Sequence, residues 1–371
     1  MDKISAAKRI VFKFGTNILR NDEGEISLTR LYSFIEDIAS LKKKGKEVLI
    51  VTSGAVGLGA KKLNVDTSAS TVLKQAAASV GQQILMGIWQ DGFEKYGLCV
   101  AQILLTEEDF SNRKKYLSLR NTLSKLLELG IVPIINQNDA VSPSELEHAS
   151  FTDNDKLSAI VASKLDAELL VMVSDIDGLF DKNPKEYPDA KKIDVVEKVT
   201  SKIEKLASGA SLGGRGGMIT KLLAAKVVTS SGLYAMIVNG KKPQIIKKIF
   251  EEDNIGTIFL PTKNLSHKKR WIAYATNIMG AITVNSGAKS ALIERQKSLL
   301  AVGIVRVEGN FRAGEIVSIF DEDGAEFARA MVNYNAQDCK KIIGAHSDEI
   351  EGILGYKIDD DVITKDNLVL L

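Results

Sequence analysis

From Arg9 to Val238 the chain alternates between two periodicities, and this alternation restricts its fold more than any other feature. Short runs rich in Val and Ile read as buried strands: Arg9–Phe14, Glu47–Thr52, Leu98–Leu104, Ile131–Ile135, Leu169–Val173 and Tyr234–Val238. Between them lie longer segments of helical character. Leu28–Lys44 puts Leu31, Phe34, Ile35, Ile38 and Leu41 on one stripe and is followed by Gly45, a C-cap residue. Thr71–Tyr96 and Asn112–Leu129 are long enough for helices, although Gly81 and Gly87 weaken the first. Strands that alternate with helices build βαβ units, hence an α/β fold with a mostly parallel sheet covered on both faces. In such sheets ligands bind beyond the C-terminal ends of the strands, so residues that follow the strands are the candidates for function.

Beyond about residue 270 the texture changes. Gly280, Gly287, Gly303, Gly309, Gly314 and Gly324 punctuate short β-like runs such as Gly303–Val307 and Glu315–Phe320, which predicts a small, separate β-rich domain. The expected division is 1–262 and 272–371, with His267–Arg270 as a solvated linker or first turn. A length of 371 residues agrees with two domains or a little more. Residues 272–371 carry 10 Lys+Arg against 15 Asp+Glu, a net of −5, which leaves 39 against 32, a net of +7, for the larger part. A basic catalytic part suits polyanions such as nucleotides. The acidic remainder argues against nucleic-acid binding, which depends on neutralising phosphates. No apolar run reaches the roughly 18 residues of a membrane span, and the first fifteen residues lack a secretory signal pattern. Cys99 and Cys339 lie far apart, so a disulfide framework is not expected and a reducing cytoplasm is.

Several chemistries are excluded by what the chain lacks. Its three histidines, His148, His267 and His346, are scattered, with neither zinc-site nor Ser–His spacing. No GxxxxGK[ST] loop is present, and no GxGxxG follows a strand. Other strand ends offer polar groups. In Val11-Phe12-Lys13-Phe14-Gly15 a lysine sits in an apolar strand, which is costly unless an anion faces it or the ammonium snorkels to water. Thr52-Ser53-Gly54-Ala55 after the second strand is either an anion site or a tight turn into a helix. Asn136-Gln137-Asn138-Asp139 reads as pocket lining or as an Asx turn, with Asp139 able to accept from an ammonium. In Asp153-Asn154-Asp155 one residue could cap a helix, which leaves two unexplained. Ser174-Asp175 ends a further strand. The glycine-rich stretch Gly213-Gly214-Arg215-Gly216-Gly217 leads into a helix carrying Lys221; it either wraps phosphates with backbone N–H groups or is merely flexible.

Taken in order, the segments FKFGTN, VTSGAVGLG, the long GQQ…W…F…YG stretch from Gly81, Gln102–Thr106, VPIINQNDAV, TDNDKLSA, SDIDGLF and GGRGGMITK, with RWIA, KSLLAVGIV, ARAMVNY and DNLVLL near the end, resemble the amino acid kinase superfamily and, within it, the glutamate 5-kinase family. The resemblance covers essentially the whole chain. It implies an αβα sandwich at 1–262, followed by a PUA domain at 272–371. It implies phosphorylation of the glutamate side-chain carboxylate by ATP, the first step of proline synthesis, with Mg²⁺, homo-oligomers and feedback inhibition by proline. Carried over by motif, Lys13 and Lys221 contact phosphates and Asp155 orients the two lysines. Ser53, Asp139 and Asn154 hold glutamate. Ser174, Asp175 and the loop Arg215, Gly216, Gly217, Met218, Ile219, Thr220, Lys221 hold ATP. Arg215 stands where the family often has threonine, which puts its own role in doubt, and the DKNP segment is only an approximate match. Rival readings are another activity of the superfamily, on aspartate, N-acetylglutamate, carbamate or a nucleotide monophosphate, and RNA binding through 272–371.

This chemistry fits the residue inventory. A glutamate side chain has a pKa of about 4.3, so it is already a nucleophile at neutral pH and needs no general base. The obstacle is repulsion between two anions, which fixed cations and correct placement overcome.

Overall fold

A computed structural model describes residues 2–21, 23–68, 70–106, 108–141, 154–184, 186–208, 217–262, 267–273 and 278–370. The chain forms two compact units, Met1–Asn264 and Leu265–Leu371. The first is built on an eight-stranded sheet of β1 (Arg9–Phe14), β2 (Glu47–Val51), β3 (Val100–Leu105), β4 (Val132–Gln137), β5 (Leu169–Ser174), β6 (Val195–Val196), β7 (Tyr234–Asn239) and β8 (Thr257–Phe259). Their order is β3-β4-β2-β1-β5-β7-β8-β6. Every neighbouring pair is parallel except β7–β8.

Helices cover both faces, as the unbroken apolar strands require. On β1, Ile10, Phe12 and Phe14 point to one face, where α1 (Leu28–Lys43) and α3 (Thr71–Glu94) bring Phe34, Ile35, Trp89 and Phe93. Phe14 packs on Phe34 and Trp89 at centroid distances of 4.9 and 5.6 Å. Val11 points to the other face, among Leu123, Leu157 and Leu222 of α4 (Arg113–Glu128), α5 (Asn154–Lys164) and α6 (Met218–Ser230). The strand period of two therefore sends Lys13, two residues after Val11, toward α5 and α6. α1 ends as its sequence predicts: Gly45 takes φ +78°, and the Lys46 N–H donates back to the Leu41 carbonyl.

Gly81, which weakens the helical reading of Thr71–Tyr96, has a packing reason. α2 (Ala55–Leu63) lies so close to α3 that a Cβ on Gly81 would come within 1.8 Å of the Ala55 carbonyl oxygen, and one on Gly59 within 1.7 Å of that of Ala77. Tertiary contact overrides the weak helix propensity of glycine.

In the second unit β9 (Gly280–Val284), β10 (Ile304–Gly309), β11 (Ile316–Phe320), β12 (Glu326–Met331) and β13 (Leu368–Leu370) form a sheet in the order β10-β9-β11-β12-β13. Only β9–β11 is parallel. The stretch read as a linker or first turn begins a helix, His267–Ala273, whose Ile272 and Ala273 pack on Ile316 and Val369. No helix among the described residues is long and apolar enough to cross a membrane.

One buried charge in the first unit sits apart from the strand ends. Lys164, the last residue of α5, is 3% exposed and lies against the rings of Tyr116 and Phe110, 4.9 and 5.9 Å from their centroids. Burial pulls its pKa down to about 8. The folded state thus holds this proton less tightly than the unfolded chain, so Lys164 costs stability at neutral pH, and the cost is relieved as pH rises from about 8 toward the ordinary lysine value. Lys164→Met is expected to stabilise the protein at pH 7 by about 1–3 kcal/mol in urea unfolding. The gain should shrink when the titration is repeated above pH 9.

Candidate active site

The C-terminal ends of β1, β2, β4 and β5 meet the N-terminal turns of α2, α5 and α6, and the polar residues collect there. Asp155, in the first turn of α5, is fully buried. Its Oδ1 lies 2.6 Å from the Lys13 Nζ at the end of β1, and its Oδ2 lies 3.0 Å from the Lys221 Nζ in the first turn of α6. Lys13 and Lys221 are 4% and 7% exposed. The Thr220 hydroxyl donates to Asp155 Oδ2 at 2.9 Å. Burial by itself would push the Asp155 carboxyl up; the two ammonium groups outweigh burial and hold it at about 2. It is therefore ionised at neutral pH, and its two oxygens fix two cations whose residues are 208 positions apart in the chain.

Lys13 and Lys221 open onto a cavity of about 490 Å³. Residues 15–18, Ser53, residues 174–176 and 178–180, Gly217 and Met218 complete much of its wall. Gly15 lies beside the Lys13 ammonium, and its N–H donates to the Val173 carbonyl. Gly54, between β2 and α2, has φ +105°, a conformation open to glycine but strained for other residues, and this bend turns the chain from strand to helix directly after Ser53. Ser174 and Asp175 line the same cavity, where the Ser174 hydroxyl donates to Asp175 Oδ1 at 3.3 Å.

Asn154 joins Ser53 at the rim. Its amide donates to the Thr52 carbonyl at 2.7 Å, to the Ser53 hydroxyl at 2.9 Å and to Asn136 Oδ1 at 3.0 Å. Its Oδ1 is buried and has no partner among the described residues, like the Thr52 hydroxyl next to Ser53. The Asn136 amide continues the chain of bonds to Gln82 Oε1 at 2.8 Å. Gln82 lines a second cavity of about 510 Å³ together with Asp139, Asn138, Gln137 and Gln102. Burial pushes the Asp139 carboxyl above its usual range, and Lys74 partly offsets this.

The structure thus brings Lys13, Ser53, Asn154, Asp155, Ser174, Asp175, Gly217, Met218, Thr220 and Lys221 together, and puts Asp139 in the neighbouring cavity. Ile219 is 37% exposed and does not line the first cavity. Arg215, Gly216 and the rest of 209–216 lie outside the described residues, as does Asp153. Asn154 is the first residue of α5, and its side chain bonds across to β2 and β4 rather than capping its own helix. Sequence reasoning gave no role to Gln82, although it falls in the GQQ stretch of the resemblance, and missed the inward turn of Thr220, for which its place one residue before Lys221 is a clue.

A model described as the amino acid kinase family matches residues 8–239, and one described as the PUA domain matches residues 280–354. The chain is 46% identical over 366 residues to the glutamate 5-kinase of Caldanaerobacter subterraneus subsp. tengcongensis, spanning 98% of each chain. It is 46% identical to the glutamate 5-kinase of Methanosarcina barkeri, over 98% of this chain and 96% of that one. Among solved structures, a UMP kinase from Ureaplasma parvum matches with a TM-score of 0.48 at 19% identity, over 68% of this chain and 99% of that one.

Because Asp155 is held below its ordinary value, its contribution to stability is complete above the unfolded carboxyl pKa and is lost as pH falls toward about 2. Asp155→Asn removes the shared counterion of two buried cations and is expected to cost about 3–5 kcal/mol in denaturant unfolding at pH 7. The difference from wild type should narrow as both are titrated below pH 4.

Proposed function

The chain belongs to the glutamate 5-kinase family of amino acid kinases, and from that premise we propose that it transfers the γ-phosphoryl group of ATP to the side-chain carboxylate of L-glutamate, giving ADP and L-glutamyl 5-phosphate, the first step of proline biosynthesis. The observation that carries this reading is the pair of ammonium groups fixed by Asp155 at the mouth of one cavity.

The acceptor carboxylate is already ionised and needs no base. What it needs is a path to an anionic phosphoryl group. In an in-line transfer charge spreads over the phosphoryl oxygens and the bridging oxygen, and preorganised cations lower the barrier there. In this reading Lys13 and Lys221 supply those cations, and Asp155 keeps them from turning toward water or away from each other. Ser174, Asp175, Gly217 and Met218 wall the space that the nucleotide would occupy. On the acceptor side Ser53 and Asn154 would orient glutamate: the Asn154 amide is committed to the backbone of β2, whereas its free Oδ1 suits an ammonium. Asp139 would add its charge from the second cavity.

The described residues include no group of three or more acidic, His or Cys side chains able to cage a metal, and Asp155 is spent on two lysines. Mg²⁺, which suits the oxygens of a triphosphate and retains water ligands, would arrive on the nucleotide and would neutralise phosphate charge there. Residence in the cytoplasm, assembly into homo-oligomers and feedback inhibition by proline follow from the same family membership and belong to the same proposal.

Lys13→Ala is expected to lower kcat by about 10²–10³, the scale for losing one preorganised electrostatic donor. Turnover close to wild type in a variant whose melting curve is unchanged would remove Lys13 from the reaction. ADP release measured with glutamate, aspartate, N-acetylglutamate and UMP should rise above background with glutamate alone, and added proline should depress it. Activity with UMP but not glutamate would overturn the assignment.

A further inference from the structure

The turn after Gly15, Thr16–Leu19, delivers a residue that the reading above does not use. Arg20 follows it, and its backbone is pinned. The Arg30 guanidinium donates to the Ile18 carbonyl at 2.8 Å and to the Arg20 carbonyl at 3.1 Å, and Arg20 pairs with Ile26 in an antiparallel bridge. From this fixed base the side chain lies across the first turn of α2. A Cβ on Gly57 would fall 1.5 Å from Arg20 Nη2 and 2.6 Å from its Cζ, so the guanidinium occupies space that any larger residue at 57 would take. Thr16, four positions earlier, faces the same junction: its methyl group is 3.8 Å from where a Cβ on Gly54 would stand. Gly54 and Gly57 are separated by about 4.5 Å of helix rise. Thr16 and Arg20 therefore flank the bend that Ser53 enters.

A guanidinium carries five donors and no acceptor. The Arg20 Nε is buried and has no hydrogen-bond partner, and no ion pair holds the group among the described residues. A half-buried charge without a counterion is costly, and a guanidinium is shaped to take a carboxylate through two parallel bonds. The reaction brings two kinds of anion to this region, the triphosphate and the acceptor amino acid. The cavity that suits the nucleotide runs from Lys13 and Lys221 toward residues 174–184, and neither Arg20 nor Gly57 lines it. Arg20 lines neither of the two cavities; it is tied to the first through Thr16, which lines it, and to the bend after Ser53 through its seat on Gly57.

We propose that Arg20 is a specificity-determining residue that binds the α-carboxylate of the acceptor amino acid, while the side-chain carboxylate at the other end approaches Lys13 and Lys221. This rests on the glutamate kinase reading and deepens it: the substrate is an amino acid with a free α-carboxylate, and its length is gauged between one guanidinium and two ammonium groups.

The test compares glutamate with 4-aminobutyrate, which keeps the reacting carboxylate and the ammonium but lacks the α-carboxylate. Steady-state ADP release is measured for wild type, Arg20→Gln and Arg20→Lys, alongside calorimetric titration of both compounds into each protein. Losing a charge-assisted bond predicts a KM for glutamate raised about 10- to 100-fold in Arg20→Gln, with kcat nearly unchanged and Arg20→Lys intermediate. The poor turnover of 4-aminobutyrate and the KM for ATP should not change, so the preference for glutamate collapses. Equal losses on both compounds, an unchanged KM for glutamate in a folded variant, or a raised KM for ATP would each overturn the proposal. If the wild-type protein fails to phosphorylate glutamate, the functional reading falls on its own, and calorimetry still decides whether Arg20 selects a compound with an α-carboxylate.

Discussion

Everything at the candidate active site hangs on one carboxylate with two claimants. Asp155 is fully buried, and burial alone would neutralise it. It stays charged because Lys13 and Lys221 face its two oxygens, and each lysine tolerates burial because Asp155 is there. The arrangement links the central strand β1 to the first turns of α5 and α6, so its stability and its geometry are the same fact. Cations held this way are oriented before any ligand enters, and no reorganisation of their partner is required when charge develops between them.

Much of the architecture was legible in the order of the residues. The six strand runs of the first unit lie within two residues of their observed positions, because strands buried on both faces must be continuously apolar and even the half-exposed edge strand β3 keeps a short apolar run. The short strands at the β6 end of the sheet were not legible. β6 and β8 are two and three residues long, too short to show a period, and the antiparallel β7–β8 pair has no local signature. The helix at His267–Ala273 was hidden by its basic start, since its apolar contribution comes from its last residues, Ile272 and Ala273.

The candidate site divides along the same line. Residues directly after a strand, such as Ser53 and Ser174, announce themselves by interrupting an apolar run. Asp155 could be singled out only through the family's motif, since a carboxylate at a helix start reads equally well as ordinary dipole compensation. Gln82 and Arg20 draw no role from the sequence alone: one sits mid-helix and the other in a charged turn, and only the tertiary contacts to Asn136 and Gly57 give them meaning. Asp139 shows the converse. Its position after a strand is conspicuous, yet it lines the adjoining cavity, which it shares with Gln82, the far end of the Asn154–Asn136–Gln82 chain of amides.

The mutual glycine contact of α2 and α3 reaches further than packing. With Gly59 against the Ala77 backbone and Gly81 against that of Ala55, no side chain separates the two backbones at these crossings, and a side chain added at either would push the helices apart. α3 carries Gln82 and α2 carries the Gly57 seat of Arg20, so the amide-rich cavity and the Arg20 guanidinium are joined by two helices in direct main-chain contact.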